Sequence, residues 1–324
     1  MLERLFMLSW YGRFQWTWIF LPISCLFYWV AKRKRDQFLN AVKIKGKVPV
    51  VVVGNITVGG TGKTPLVQAL VEHLKAKGYK PGIISRGYGA DIQSFPHLIS
   101  LDDECSQVGD EPYMLAHSLK VPVVIDPKRK KALERVLQLD VDVVLSDDGM
   151  QHYELPRDIE ICVLDGNRML GNAQLLPVGP LRESKNRLDD VDFVALSGLS
   201  GGDDCFEFSP VSWVNVRTGM SVPVHDLIIE EDAVAIAGIG NPLKFSKTLE
   251  GIGIRRPLKP FPDHYAYEAS DFAGMTGQVL MTHKDAVKIK SFSRENMWYL
   301  KIQAGLSDRF LADFMNKLED CLER

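Results

Sequence analysis

The stretch from Gly54 to Pro65, Gly-Asn-Ile-Thr-Val-Gly-Gly-Thr-Gly-Lys-Thr-Pro, constrains this chain more than any other because of what flanks it. Before it, Val50 to Val53 form a β-branched run of the kind buried in parallel sheets. After it, Leu66, Val67, Leu70, Val71 and Leu74 recur at helical spacing between Thr64 and Lys77, and Gly78 ends the run. Phosphate oxygens need several backbone N–H donors converging from one side, and glycine lets the chain wrap that closely. The helix start adds free N–H groups and the positive end of its dipole. Lys63 supplies a point charge to the β- and γ-phosphates, and the Thr64 hydroxyl a ligand for Mg²⁺. Thr57, Val58, Gly59, Gly60, Thr61, Gly62, Lys63 and Thr64 therefore form the expected nucleotide contact. The usual pattern has glycine where Thr57 stands; Gly59 and Gly60 restore the flexibility. A merely structural glycine turn is the rival reading, and the strand-to-helix context outweighs it.

A phosphate loop also needs acidic help with Mg²⁺ at the tip of a neighbouring strand. The run Val143-Val144-Leu145-Ser146 ends in Asp147-Asp148, followed by Gly149-Met150-Gln151-His152. Asp-Gly turns are common at strand ends. Beside a phosphate cradle, Asp147 and Asp148 read as metal ligands together with Thr64, whereas His152 alone reads as structural.

Strands and helices alternate along the rest of the chain. Pro81 to Ser85 reads as a strand, Tyr113 to Leu119 as a helix, Val121 to Ile125 as a strand and Lys128 to Leu139 as a helix. Val141 to Ser146 and Ile159 to Leu164 are further apolar strands. The pattern predicts an α/β fold, a P-loop NTPase-like doubly wound sheet. Asp165 to Gly202 reads as loop around one strand, Val191 to Leu196. A second α/β stretch begins at Ala233 and ends in a helix from Ser307 to Leu322, with Phe310, Phe314 and Leu318 on one face. The expected division is an N-terminal segment over 1–35, a P-loop domain over 36–225 and a smaller α/β domain over 226–324.

Residues Phe14 to Ala31 carry no charge and several aromatics, with Arg13 before them and Lys32-Arg33-Lys34-Arg35 after. A secretory signal would place its charges before the apolar run and a small-residue cleavage site after it. The favoured expectation is a membrane-associated helix in the headgroup interface, interrupted by Pro22, with the body on the cytoplasmic side. A single span and a helix docked on the protein's own core are the alternatives. The net charge of −2 gives no electrostatic case for a nucleic-acid partner. Five scattered cysteines without a C-x-x-C pair offer no zinc site and fit reduced thiols.

An ordered set of motifs resembles the tetraacyldisaccharide 4'-kinase family of lipid A biosynthesis. After the phosphate loop come Ser85-Arg86-Gly87-Tyr88-Gly89, Gly109-Asp110-Glu111-Pro112 and Asp147-Asp148-Gly149-Met150-Gln151-His152. Gly179-Pro180-Leu181-Arg182-Glu183, Gly238-Ile239-Gly240-Asn241-Pro242, Pro262-Asp263-His264 and Lys284-Asp285-Ala286-Val287-Lys288 follow. The resemblance implies transfer of the γ-phosphate of ATP, with Mg²⁺, to the 4'-hydroxyl of an acylated glucosamine disaccharide 1-phosphate. It also implies an inner-membrane location facing the cytoplasm and a C-terminal domain that closes over the nucleotide. By the same resemblance Lys63 serves the phosphates, Arg182 lies near the phosphates or the lipid phosphate, Asp110 takes or orients the hydroxyl proton, and His264 pairs with Asp110. Two departures from the family pattern are Met150, where an aromatic is usual, and His283, where Glu is commoner. From residues alone, Asp110 could equally cap a helix opened by Pro112. His264 could be an ordinary hydrogen-bonded loop histidine, and Arg86 either an anion contact or a solvated arginine.

The main alternative is a membrane-associated P-loop switch ATPase. That class carries a lysine just before its two glycines, and here the position is Val58. A GTP-dependent metallochaperone would want Asn-Lys-x-Asp, which Thr282-His283-Lys284-Asp285 is not. A nucleotide-gated scaffold at the membrane is the non-enzymatic reading.

Overall fold

The structure, a computed structural model, describes residues 2–13, 15–39 and 48–323. Phe14, at the head of the apolar run, and 40–47, in the expected P-loop domain, lie outside them. The apolar run is not one helix. α1 (Leu2–Tyr11) precedes a 3₁₀ turn (Trp16–Phe20), and α2 (Leu21–Leu39) begins just before Pro22, which helices tolerate only in their first turn. The two helical arms, Leu5–Tyr11 and Trp16–Gln37, meet at 98°. Among the described residues no single helix is long and apolar enough to cross a membrane.

The arms sit on the loop ahead of Arg182. The Thr17 hydroxyl donates to the Val178 carbonyl (2.6 Å), the Trp10 indole N–H to that of Pro177 (3.1 Å) and the Ser24 hydroxyl to that of Leu175 (3.1 Å). Ile19, Ile23 and Leu26 remain exposed.

The first half of the body runs β1 (Val50–Gly54), α3 (Lys63–Ala76), β2 (Pro81–Ser85) and β3 (His97–Leu98). α4 (Cys105–Val108), α5 (Asp110–Leu119), β4 (Val123–Ile125) and α6 (Arg129–Val136) follow. β5 (Val143–Asp147), β6 (Ile159–Asp165) and β7 (Phe193–Ser197) complete it. β1 is central, with β5 parallel on one side and β6 on the other. Side-chain alternation sends Val51 and Val53 to the core under α3 and α5, and Val50 and Val52 to the opposite core under α6. Leu66, Val67, Leu70, Val71 and Leu74 of α3 are all buried, so the helical spacing seen in the sequence is the buried stripe.

The second half runs β8 (Cys205–Asn215), β9 (Ser221–Pro223), β10 (Val234–Ala237), α7 (Pro242–Gly251) and β11 (Leu258–Pro260). β12 (Val279–Thr282), α8 (His283–Ile289), β13 (Met297–Gly305) and α9 (Asp308–Leu322) finish the chain. β8 joins the halves: its first residues pair with β7 and the rest run antiparallel to β13. Among the described residues thirteen strands thus form one continuous sheet. α9, capped by Ser307, returns to the first half, where Phe310 and Phe314 pack on Phe193.

Candidate active site

Gly62 is the N-cap of α3 and holds φ +93°, the left-handed region that favours glycine. A Cβ there would lie 2.6 Å from the Phe208 ring, so the loop closes against β8 as well. The entry to the loop is tied down by the segment carrying Arg182. The Val58 amide donates to the Pro180 carbonyl (2.9 Å) and the Arg182 amide to the Ile56 carbonyl (2.7 Å). Inside the loop the Asn55 side-chain amide donates to the Thr61 hydroxyl (3.2 Å), and Gln151 holds the Asn55 carbonyl (2.8 Å). Among the described residues no hydrogen bond takes up the amides of Gly59, Gly60, Thr61 or Gly62. They form the donor set a polyphosphate needs; the Val58 amide is already spent.

β5 delivers Asp147 and Asp148 beside this loop. Lys63 Nζ lies 3.5 Å from one Asp148 oxygen and Arg182 Nη1 3.7 Å from the other. Burial pushes the Asp148 carboxyl up, but Lys63, Arg182 and Arg129 outweigh it and hold its pKa below the ordinary value. Asp147 is buried, its Oδ1 has no hydrogen-bond partner among the described residues, and its pKa is raised, first by burial and then by the nearby Glu111 carboxylate. A carboxylate oxygen buried without a donor is costly, and a cation would relieve it. Among the described residues no three His, Cys, Asp or Glu side chains form a metal cage. Two carboxylates and one hydroxyl are instead what Mg²⁺ takes from proteins when phosphates and water supply the rest.

Asp110 opens α5. Gly109 is the cap residue and no side chain caps the helix, so Asp110 does not perform the capping role open to it from sequence. Pro112 falls in the first turn, which explains why the helix starts three residues before the sequence-based boundary. Gly109 has φ +90°, and a Cβ on it would collide with the Tyr88 carbonyl; the 85–89 and 109–112 motifs are thus packed together. His264 Nδ1 is 3.1 Å from Asp110 Oδ2, and the Tyr88 ring lies 5.2 Å from the imidazole. His264 has φ +57° and Asp148 φ +51°. Two site residues therefore sit in a conformation that costs about 1–2 kcal/mol outside glycine, and such outliers concentrate at functional sites. Lys284 links the two sides, 3.7 Å from Glu111, 3.2 Å from Asp263 and 3.3 Å from His264 Nε2.

The structure thus brings Lys63, Arg182 and Asp148 into one cluster and Asp110 and His264 into another, with Glu111 facing both. Sequence reasoning missed Arg129. This buried arginine on α6 donates to the Asp147 carbonyl (2.8 Å), and its Nε and Nη1 have no hydrogen-bond partner among the described residues. Burial pulls its pKa to about 10 despite the two aspartates. Nothing in the local pattern Lys128-Arg129-Lys130-Lys131 separates it from three solvated lysines. Glu183 was also missed as an organiser: it accepts from Gln151 (2.7 Å) and bonds the Tyr153 hydroxyl, bracing the phosphate loop. His152 is held down to about 4, first by burial and then by Arg129, and is neutral at physiological pH.

A glycine-rich strand-to-helix loop with unengaged amides beside Lys63 and Asp148, together with the carboxylate–imidazole pair of Asp110 on α5 and His264, has the chemistry of a P-loop phosphotransferase. The family model for tetraacyldisaccharide-1-P 4'-kinase (LpxK) matches residues 16–319. Tetraacyldisaccharide 4'-kinase of Legionella pneumophila (strain Lens) is 43% identical over 94% of this chain and 94% of its own. The Pseudomonas aeruginosa (strain LESB58) protein of that name is 40% identical over 99% of each chain. Among solved structures, LpxK from Aquifex aeolicus in complex with ATP is 30% identical, with a TM-score of 0.79 over 94% of this chain and 99% of that one. The chain belongs to the tetraacyldisaccharide-1-P 4'-kinase family.

Proposed function

We propose that this chain transfers the γ-phosphate of ATP to the 4'-hydroxyl of a tetraacylated glucosamine disaccharide 1-phosphate, a step in lipid A biosynthesis. One observation carries the reading: the family match over 16–319 spans both the glycine-rich loop and the Asp110–His264 pair. Phosphoryl transfer needs alignment and charge neutralisation more than covalent help. The free amides of Gly59 to Gly62 and the Lys63 ammonium hold the β- and γ-phosphates, with Arg182 beside them. Asp110 accepts the proton of the 4'-hydroxyl as its oxygen bonds to the γ-phosphorus and the bond to the β-phosphate oxygen breaks, releasing ADP. His264 orients that carboxylate through Oδ2. Thr64, Asp147 and Asp148 would hold Mg²⁺, which when bound neutralises charge on the β- and γ-phosphates.

α1, the 3₁₀ turn and α2 together serve as an interfacial membrane anchor on the cytoplasmic face of the inner membrane. Their exposed Ile19, Ile23, Leu26 and Trp29 and the basic run Lys32 to Arg35 support this reading. The second half, from β8 to β13, acts as the smaller unit that closes over the nucleotide, bringing His264 to Asp110. A switch ATPase would hydrolyse ATP without a lipid acceptor. The separating experiment follows ADP release with and without detergent-dispersed tetraacyldisaccharide 1-phosphate. Release that requires the lipid supports the kinase; equal release without it overturns the reading.

A further inference from the structure

We propose that Lys288 is a positioning residue for phosphoryl acceptance: it fixes one oxygen of Asp110 so that the other faces the sugar hydroxyl. The inference rests on Asp110 taking that hydroxyl's proton. α8 packs against α5 across the two halves, and its Lys288 ammonium is almost wholly buried. It donates to the Tyr265 carbonyl at 3.4 Å, lies 3.6 Å from Asp285 Oδ1 and stands 5.4 Å above the Tyr267 ring. From that seat it reaches Asp110 Oδ2 at 3.7 Å.

The bland alternative is that Lys288 merely neutralises the buried Asp285. Asp285 does not need it as a donor. Its Oδ1 receives the Gly238 amide (3.1 Å) and the Tyr267 hydroxyl (3.0 Å), and its Oδ2 the Gly238 amide (3.2 Å) and the Thr282 hydroxyl (2.6 Å). Asp285 is thus a fixed base plate, and Lys288 extends from it toward the other half. His264 and Lys288 both engage Oδ2 of Asp110. Oδ1 is left with the Cys105 thiol at 3.7 Å, a weak donor. That thiol stays protonated, pushed up to about 12 first by burial and then by Asp110. His264 hydrogen-bonds to Oδ2 and the Lys288 ammonium attracts the same oxygen, so two groups from the opposite half favour one setting of the carboxylate about its Cβ–Cγ bond. Its other oxygen stays aimed, and the lysine carries the aim from the C-terminal half rather than from α5 itself.

The test measures kcat, KM for ATP and calorimetric ATP affinity with detergent-dispersed tetraacyldisaccharide 1-phosphate. Lys288→Met should lower kcat about 10-fold or more while KM and ATP affinity stay within about twofold, since only the aim of the carboxylate is lost. Lys288→Arg, which keeps the charge and a donor, should recover most of the rate. In an Asp110→Ala background, Lys288→Met should cost less than about threefold, because the oxygen it holds is gone. Because Met leaves Asp285 without its cation, the paired variant Asp285→Asn with Lys288→Met is measured beside it, and the same loss is expected. Equal losses from Lys288→Met in both backgrounds, or a wild-type rate in Lys288→Met, would overturn the inference and leave the Asp110 reading standing. A wild-type rate in Asp110→Ala alone would remove both.

Discussion

Gly62→Ala tests whether the phosphate loop is built as described. Two costs follow from the geometry. At φ +93° an alanine pays about 1–2 kcal/mol relative to its preferred conformations. Its Cβ would also stand 2.6 Å from Phe208 Cζ and 3.3 Å from Ser197 Cβ. Overpacking of that kind costs about 1–3 kcal/mol, toward the lower end because the phenyl ring can swing. Together the expected loss is about 2–5 kcal/mol in urea-unfolding free energy. ATP affinity should fall as well, since the helix N-terminus must shift to relieve the overlap. Adding Phe208→Leu should recover the steric part and leave the 1–2 kcal/mol of backbone strain. Gly60→Ala, at a position with no heavy atom near the added carbon, should unfold within about 1 kcal/mol of wild type. A Gly62→Ala protein with wild-type stability and ATP affinity would refute this picture of the loop.

Asp110→Ala should cut turnover by about 10²-fold or more while calorimetric ATP binding persists, as expected for a lost proton acceptor; near-normal turnover would take Asp110 out of the mechanism. His283, stacked on Tyr299 at 4.3 Å, is held down to about 4, first by burial and then by Lys301. The unfolded imidazole takes up its proton near 6.5 and the folded one only near 4, so stability is fully present above pH 6.5 and falls as pH drops toward 4. At pH 5 the loss is about 2 kcal/mol, and His283→Gln should flatten the urea midpoint between pH 7 and 5 by that amount. An unchanged slope would contradict it. Ile19→Asp with Leu26→Asp, both at exposed positions, should reduce cosedimentation with anionic vesicles while sparing activity on detergent-dispersed lipid. Undiminished cosedimentation would count against the anchor.

Much of this was legible in the sequence because local chemistry set it. Val50 to Val53, the glycines around Lys63 and the stripe on α3 each determine their own structure, and the structure has them where the pattern puts them. β8 escaped the pattern because Pro210 interrupts its alternation. The ladder to β13 slips next to that proline, a place where a strand tolerates the missing N–H. The helix of the N-terminal apolar run was legible, but its break at the 3₁₀ turn was not. Asp147 and Asp148 stood out as a strand tip, whereas Arg129 and Lys288 act through burial and long-range approach, which a single sequence does not display. The pairing of Asp110 with His264, 154 positions apart, came from family resemblance alone.

The most direct measurement follows ³²P from γ-labelled ATP into tetraacyldisaccharide 1-phosphate and locates it in the product. Label on the 4'-oxygen, dependent on Mg²⁺ and abolished by Lys63→Ala, is the expected result. Label released as free phosphate at the same rate with or without the lipid, or a Lys63→Ala protein that still transfers it, would contradict the assignment.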